Sequence, residues 1–76
     1  MHPLKAWLQR NKITQAQFAR LLGTTQQAVS NWVHGQRPTV RTAEKIEKLT
    51  MELTKGKDIL PRWQLLYPDE FGRKVA

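Results

Sequence analysis

The chain of 76 residues contains no cysteine, which excludes disulfide bonds and thiolate metal sites. Its two histidines are too few to complete a zinc site without such ligands. No apolar run approaches the roughly 18 residues that a membrane helix needs, and the first residues lack the apolar stretch of a signal peptide. We therefore expect a small cytoplasmic protein whose stability comes from helix packing, from dimerisation or from both.

Acidic residues are missing from the first 43 positions. Residues 1–50 carry a net charge of +6, residues 51–76 carry +1, and the whole chain carries +7. A basic half without acids is typical of proteins that bind a polyanion, which can be DNA, RNA or a membrane surface. Charge alone does not distinguish these partners.

The residue combinations that catalysis requires are also missing. The single serine, Ser30, lies within a predicted helix, and every acidic residue follows Ala43. Neither a glycine-rich phosphate loop nor a metal-ligand spacing is present. We predict that the protein is not an enzyme and that it uses no cofactor and no metal.

Helix start and stop signals divide the chain into four helices and a short last element. The start signals are Pro3 in a first helical turn and Thr14, Thr25 and Thr39 as N-caps. Gln17 would complete a capping box with the first of these threonines. Gly23 and Gly35 suit helix ends, and we expect Asn11 to take the left-handed conformation that ends the first helix.

Apolar residues recur at spacings of three and four within these helices, which predicts one buried face on each. The predicted core residues are Leu4, Trp7, Leu8, Phe18, Ala19, Leu21, Leu22, Ala28, Val29, Trp32, Val33, Val40, Ala43, Ile46, Leu49 and Leu53. After a break at residues 55–57, we expect Asp58 to cap a short helix with Ile59, Trp63 and Leu66 on one face. A weak strand over residues 58–60 or 64–67 is the alternative.

The outer face of the third predicted helix is polar but uncharged. It consists of Gln26, Gln27, Ser30, Asn31 and His34. A helix face that only meets solvent usually carries glutamate and lysine. Amides and hydroxyls instead both donate and accept hydrogen bonds, which is what reading base edges in a DNA major groove requires.

The segment Gln15–Gly35, two helices joined at Gly23, resembles the lambdoid repressor and Cro family of helix-turn-helix proteins. The resemblance spans residues 4–53 and is marked by Gln15, Ala19, Gly23, Val29 and Trp32. It implies an all-α, lambda-repressor-like bundle of four helices plus a short C-terminal segment. Residues 1–54 would form the DNA-binding domain and residues 55–76 a C-terminal extension for dimerisation or packing.

The resemblance also implies DNA contacts. The stretch Gly23–Gln27 is similar to the 434-repressor branch of the family, in which the third helix is the recognition helix. The implied base-reading residues are Thr25, Gln26, Gln27, Ser30 and Asn31. The implied phosphate or backbone contacts are Gln15, Thr24, His34, Arg37 and Arg41. Gln26 would make a bidentate contact with adenine, and Gln15 would brace Gln26.

This chain departs from the family pattern at three positions. The family often pairs an arginine in the first helix with a glutamate late in the third, and the corresponding residues here are Leu8 and Val33. Because both charges are replaced together, no buried charge is left unpaired. The family's glycine near the end of the first helix is Lys12 in this chain.

The end of the chain is similar to that of short Cro-like or YdaS-like phage and prophage regulators. It carries more apolar surface than a free tail would, and the predicted dimer contacts are Trp63, Leu65, Tyr67 and Phe71. This segment either packs back on the first and fourth helices or forms a subunit interface, and we expect both.

Three functions agree with these features. The first is a sequence-specific Cro-like repressor that binds a palindromic operator in double-stranded DNA as a dimer, in the bacterial nucleoid or a phage-infected cell. The second is a DNA-binding antitoxin that also binds a toxin protein through its C-terminal segment. The third is a nucleic-acid binder that uses charge alone, and the amide-rich helix face argues against it.

Overall fold

A computed structural model of the chain describes residues 2–67, which form five helices. They are α1 (Pro3–Arg10), α2 (Gln15–Leu22), α3 (Gln26–Val33), α4 (Val40–Thr54) and α5 (Arg62–Leu66). No strand is present between residues 2 and 67. The prediction of an all-α helix-turn-helix bundle is therefore confirmed, and the strand alternatives at residues 58–60 and 64–67 are wrong.

Threonine caps fix where three of the helices begin. Thr14 Oγ1 accepts the backbone N–H of Gln17 at 3.1 Å, and the Gln17 side chain accepts the backbone N–H of Thr14 at 3.0 Å. Thr25 and Thr39 each accept a backbone N–H three residues further along, at the starts of α3 and α4. All three predicted caps and the capping box are confirmed, so local sequence signals set the start of α2, α3 and α4.

The turn after α1 is closed by Lys12 and not by Asn11. Lys12 has a φ of 55°, whereas Asn11 has a φ of −97° and still donates its backbone N–H to the Trp7 carbonyl at 3.1 Å. The prediction for Asn11 is wrong by one position, because Asn11 continues the helical hydrogen bonding. Lys12 thus has left-handed backbone, which glycine favours, at the position where the resembling family has glycine.

One hydrophobic core connects all five helices. Trp7 and Phe18 are fully buried at its centre, with ring centroids 5.8 Å apart and tilted planes. The other buried apolar residues are Leu4, Leu8, Ala19, Val29, Trp32, Val33, Ala43, Ile46, Leu60 and Leu65. Leu8 and Val33 are among them, so the two positions where the family often has a charged pair lie in the core as apolar residues.

Three residues predicted for the core are exposed. Leu21, Val40 and Leu53 keep 53, 57 and 40% of their surface accessible. The reason is the narrow width of the buried stripe on each helix. On α4 this stripe runs through Ala43, Ile46 and Thr50, and it buries a threonine that the apolar pattern did not include.

Residues 55–67 pack on the same core as the first four helices. The indole Nε1 of the buried Trp7 donates to the backbone carbonyl of Asp58 at 2.6 Å. Leu60 and Leu65 are 2% and 0% exposed. The polypeptide after α4 therefore completes the core and satisfies a buried donor within it.

The sequence predicted that Asp58 caps a short helix, and this prediction is wrong. Asp58 instead attaches this segment to α1. Its carboxylate accepts hydrogen bonds from Arg10 Nε and Nη2 at 3.1 and 3.0 Å and from Asn11 Nδ2 at 2.9 Å. The last helix, α5, begins only after Pro61 and has no side-chain cap. It buries Leu65, while Ile59 and Trp63 are 40 and 37% exposed, so the predicted apolar face is also wrong.

Thr50 provides a test of how the segment is attached. Its hydroxyl donates to the Glu47 carbonyl at 2.8 Å and accepts the buried backbone N–H of Leu60 at 3.0 Å. Thr50→Val keeps the shape of the side chain but leaves that N–H without an acceptor. We expect the free energy of unfolding to fall by about 1–3 kcal/mol, measured by urea denaturation. Thr50→Ser retains the hydroxyl but loses one methyl group and is the control, and a Thr50→Val variant as stable as the wild type would contradict this assignment.

Asp58 should make the stability sensitive to acid. Above all the hydrogen bond from the Arg10 guanidinium lowers the pKa of Asp58 below its ordinary value. Because the folded state favours the ionised carboxylate, this stabilisation is complete above the ordinary pKa, about 4, and is lost as the pH falls through the folded-state pKa. Asp58→Asn should lower the free energy of unfolding by about 1 kcal/mol at pH 7 and remove that part of the acid sensitivity.

The matched control is Glu52→Gln. Glu52 is exposed and forms no ion pair within residues 2–67, so this substitution makes the same change of charge without breaking a contact. Denaturation curves between pH 7 and pH 3 should separate the two variants. If Asp58→Asn kept the full acid sensitivity of the wild type, the proposed role of this carboxylate in stability would be wrong.

Candidate nucleic-acid interface

Two eight-residue helices, α2 and α3, pack directly against each other across a short turn. Gly23 ends α2 with a φ of 83°, and its N–H donates to the Ala19 carbonyl at 2.9 Å. The N–H of Thr24 donates to the same carbonyl, also at 2.9 Å. These bonds end α2 and lead the chain through a short turn into α3, and glycine favours the left-handed backbone of this turn.

The two faces of α3 differ completely in environment. Val29, Trp32 and Val33 face the core, with at most 8% of their surface exposed. The residues of the polar face that the sequence predicted lie on the accessible side: Gln26, Gln27 and His34 are exposed, and Ser30 and Asn31 are half-buried. The core side holds α3 in place, and the amide side is accessible to another molecule.

Some of these polar groups already bond to each other. Gln27 Nε2 donates to Asn31 Oδ1 at 2.9 Å, one helical turn away. His34 Nδ1 lies 2.7 Å from the Ser30 carbonyl oxygen and 3.5 Å from Ser30 Oγ. The pairing orders the two amides, yet it leaves the oxygen of Gln27 and the amide hydrogens of Asn31 for a further partner.

Gln26 occupies the first position of α3 and is exposed. Its side chain forms no hydrogen bond to any residue between 2 and 67, so its amide oxygen and nitrogen are both available. In particular, the predicted brace from Gln15, which is half-buried at the start of α2, is not a hydrogen bond in this structure. A complete amide has the donor and the acceptor that match the major-groove edge of adenine.

The two arginines predicted to contact the DNA backbone follow α3 along the chain. Arg37 lies in the loop before α4, Arg41 lies in the first turn of α4, and both are exposed. Thr24, the remaining predicted backbone contact besides Gln15 and His34, is half-buried in the turn between α2 and α3. The predicted contacts therefore precede and follow the exposed face of α3.

The ion pairs leave most of the positive charge unneutralised. Of the four acidic residues between positions 2 and 67, Asp58 pairs with Arg10, and Glu44 and Glu47 both pair with Arg62, at 2.8–3.0 Å. The cations in the same range that form no ion pair there are Lys5, Lys12, Arg20, Arg37, Arg41, Lys45, Lys48, Lys55 and Lys57. A surface of this kind attracts a polyanion.

The predicted dimer residues separate into two groups. Trp63 and Tyr67 are 37 and 49% exposed, but Leu65 is fully buried. Leu65 is therefore a core residue on the inner side of α5, and the prediction that it contacts a second protomer is wrong. Phe71 lies outside the described residues.

Two contacts in the structure were not predicted. His2 caps α1, with its Nδ1 accepting the backbone N–H of Leu4 at 3.1 Å, and burial lowers the pKa of its ring. The guanidinium carbon of Arg37 lies 5.8 Å from the ring centroid of Tyr67. The cap was missed because histidine is not a standard N-cap residue. The contact between Arg37 and Tyr67 was missed because the two residues are far apart in sequence and no local pattern predicts it.

Two other kinds of site are absent from the described part of the chain. Between residues 2 and 67, no three histidine, cysteine or acidic side chains are grouped so that they could hold a metal ion. No helix in that range is long and apolar enough to cross a membrane.

Comparison with known proteins identifies the region around α3. Residues 4–50, more than half of the chain, match the helix-turn-helix family. The match includes α1, α2 and α3 and most of α4, and thus the exposed amide face and both arginines that follow it. No curated protein and no solved structure matches the chain significantly.

Proposed function

Because the chain belongs to the Cro/C1-type helix-turn-helix family of DNA-binding transcriptional regulators, we propose that it is a Cro-like repressor that binds a palindromic operator as a homodimer. The observation that carries the proposal is the exposed, uncharged amide face of α3, which is followed in the chain by Arg37 and Arg41, two arginines that form no ion pair within residues 2–67. The repressor would act in the cytoplasm by occluding RNA polymerase at the operator, and this action requires neither a catalytic group nor a cofactor.

In this proposal α3 lies in the major groove and its outer side chains read the base edges. Gln26 makes a bidentate contact with adenine through its amide. Gln27 and Asn31 read the neighbouring base pairs with the donors and acceptors left by their mutual hydrogen bond. Ser30 offers a hydroxyl to the same edges, and the methyl group of Thr25 packs on a thymine methyl group.

The backbone contacts come from residues on both sides of α3 in the chain. Gln15 and Thr24 precede α3, and His34, Arg37 and Arg41 follow it. Contacts of this kind position the protein on the duplex and supply affinity, but they carry little sequence information. Their cationic members make binding depend on salt.

The proposed dimer surface is the outer side of α5. Trp63 lies on α5, Tyr67 directly follows it, and both are exposed, whereas Leu65 is buried in the core. Arg62 holds α5 against α4, since its guanidinium bonds to Glu44 and Glu47 and its backbone N–H to Glu47. The patch is small, so we expect weak pairing in solution and stronger pairing on DNA.

A DNA-binding antitoxin is the second candidate function. The exposed aromatic side chains of α5 favour a protein partner, and this partner would be a toxin instead of a second copy of the chain. Both functions use α3 on DNA in the same way, and capture of a toxin by the Trp63 surface in a pull-down would favour the antitoxin.

The roles of Gln26 and Arg37 are separable by measurement. We expect Gln26→Ala to cost about 1–3 kcal/mol on one operator base pair and to relax the preference there, because one bidentate contact is lost. We expect Arg37→Ala to weaken binding to all sequences alike and to lower the salt slope of binding by about one. Titrations of operator and scrambled duplexes at several salt concentrations measure both effects.

Gln9→Ala is the matched control for the first substitution. Gln9 is an exposed glutamine on α1, outside the face of α3, and its loss should leave sequence preference unchanged. If Gln26→Ala and Arg37→Ala reduced specific and non-specific binding by the same factor, base reading by Gln26 would be refuted.

Trp63 provides the test of the dimer. Two copies of α3 reading half-sites about one helical turn apart, roughly 34 Å, should occupy an inverted repeat cooperatively. We expect Trp63→Ala to reduce this cooperativity in a footprinting titration, because it removes the larger aromatic side chain of the patch. Leu53→Ala, which shortens an exposed leucine on α4, should not change it.

Two outcomes of that experiment contradict different parts of the proposal. Protection of a single half-site by the wild-type protein would contradict the dimer. Unchanged cooperativity in Trp63→Ala would leave the dimer possible but would remove α5 as its surface.

A further inference from the structure

A contact between Arg37 and Tyr67 joins the loop after α3 to the end of α5. The guanidinium carbon lies 5.8 Å from the centroid of the tyrosine ring. A cation within about 6 Å of an aromatic ring face is attracted by the electrons of the ring. The contact therefore connects a predicted DNA-backbone contact to the proposed dimer surface.

Both partners of this contact are attached to rigid parts of the fold. Tyr67 follows α5 directly, and its backbone N–H donates to the Trp63 carbonyl at 2.8 Å. Leu65 is fully buried in the core beneath α5. On the other side, Pro38 is buried next to Arg37 in the loop. The fold therefore determines where the tyrosine ring lies relative to the arginine.

An aromatic ring holds an arginine differently from a carboxylate. Arg10 and Arg62 are held by acids, so their charges are neutralised within the molecule. Arg37 forms no ion pair within residues 2–67 and retains its full charge. The Arg37 side chain donates no hydrogen bond to any residue between 2 and 67, so its five N–H donors remain open to phosphate oxygens.

We propose that Tyr67 is a positioning residue for DNA binding, whose ring orders Arg37 for a phosphate contact without touching DNA itself. This inference rests on the proposed function, in which Arg37 contacts the backbone. An arginine that is already ordered loses less side-chain freedom when it binds, so the contact with phosphate becomes tighter. The C-terminal segment would thereby contribute to DNA affinity even in a single protomer.

The test is a double-mutant cycle on a duplex with one half-site, selected by the wild-type protein from random sequences. A single half-site separates the effect from dimerisation. We expect Tyr67→Leu to raise the Kd about two- to fivefold, which lies within the cost of ordering one long side chain on binding. Tyr67→Phe keeps the ring and should bind like the wild type. In an Arg37→Ala background, Tyr67→Leu should have no further effect.

A second measurement monitors the contact in the free protein. The tyrosine ring should shift the NMR signals of the Arg37 side-chain methylene protons, and this shift should be lost in Tyr67→Leu and kept in Tyr67→Phe. The salt slope of DNA binding should fall by about one in Arg37→Ala and stay constant in Tyr67→Leu, where the arginine is still present. A purely structural role of Tyr67 would not produce this combination of ring shifts and salt slopes. Unchanged amide spectra of the core residues are the control that each variant is folded.

The outcomes distinguish failure of this inference from failure of the proposed function. If the wild-type protein binds no duplex at all, the proposed function is wrong and the role of Tyr67 in DNA binding is wrong with it. If the wild type binds but Tyr67→Leu weakens the Arg37→Ala variant as much as it weakens the wild type, only the positioning role is overturned. An absent ring shift in the wild type overturns it as well.

Discussion

The buried indole N–H of Trp7 is the constraint on which the arrangement of this molecule depends. A tryptophan at the centre of the core contributes more apolar surface than any other residue, but it also brings a donor that must find an acceptor. The acceptor is the carbonyl of Asp58, at 2.6 Å, in the segment that follows α4. The carboxylate of Asp58 then binds Arg10 and Asn11, so the same residue is attached to the end of α1 twice. The helix-turn-helix part alone would leave this core open, so residues 55–67 are an integral part of the fold.

The attachment of residues 55–67 to the core also affects the surfaces that the proposed function uses. With Asp58 fixed, Leu60 and Leu65 enter the core and α5 lies against α4. The Arg62 guanidinium, bonded to two glutamates of α4, secures that position. Trp63 is exposed on α5, and Tyr67, directly after α5, contacts Arg37 in the loop that follows α3. A hydrogen bond in the core thus determines where both the proposed dimer surface and one proposed DNA contact lie.

The sequence was sufficient for features that are set within a few residues. The three threonine caps, the capping box with Gln17 and the turn at Gly23 follow from local backbone chemistry, and so does the division of α3 into an apolar and an amide face. It was insufficient where a distant partner decides. An aspartate before an apolar stretch is a normal cap signal, but Asp58 finds Arg10, 48 residues earlier in the chain. Leu65 and Trp63 are both apolar, and only the position of α5 on the core decides which of them is buried.

The arginines differ in the groups that contact their side chains, and we expect their roles to differ accordingly. Arg10 and Arg62 are matched by carboxylates and stabilise the fold, so their charge is not available to DNA. Arg37 is held by an aromatic ring and Arg41 extends from the first turn of α4, and both keep their charge. In the proposed function, amides on α3 would supply base discrimination with almost no dependence on salt, whereas these cations would supply affinity that depends on salt but hardly on sequence. The amides and the two arginines lie on different elements. A change in operator sequence would therefore require new residues only on α3, and the contacts with the DNA backbone would be unchanged.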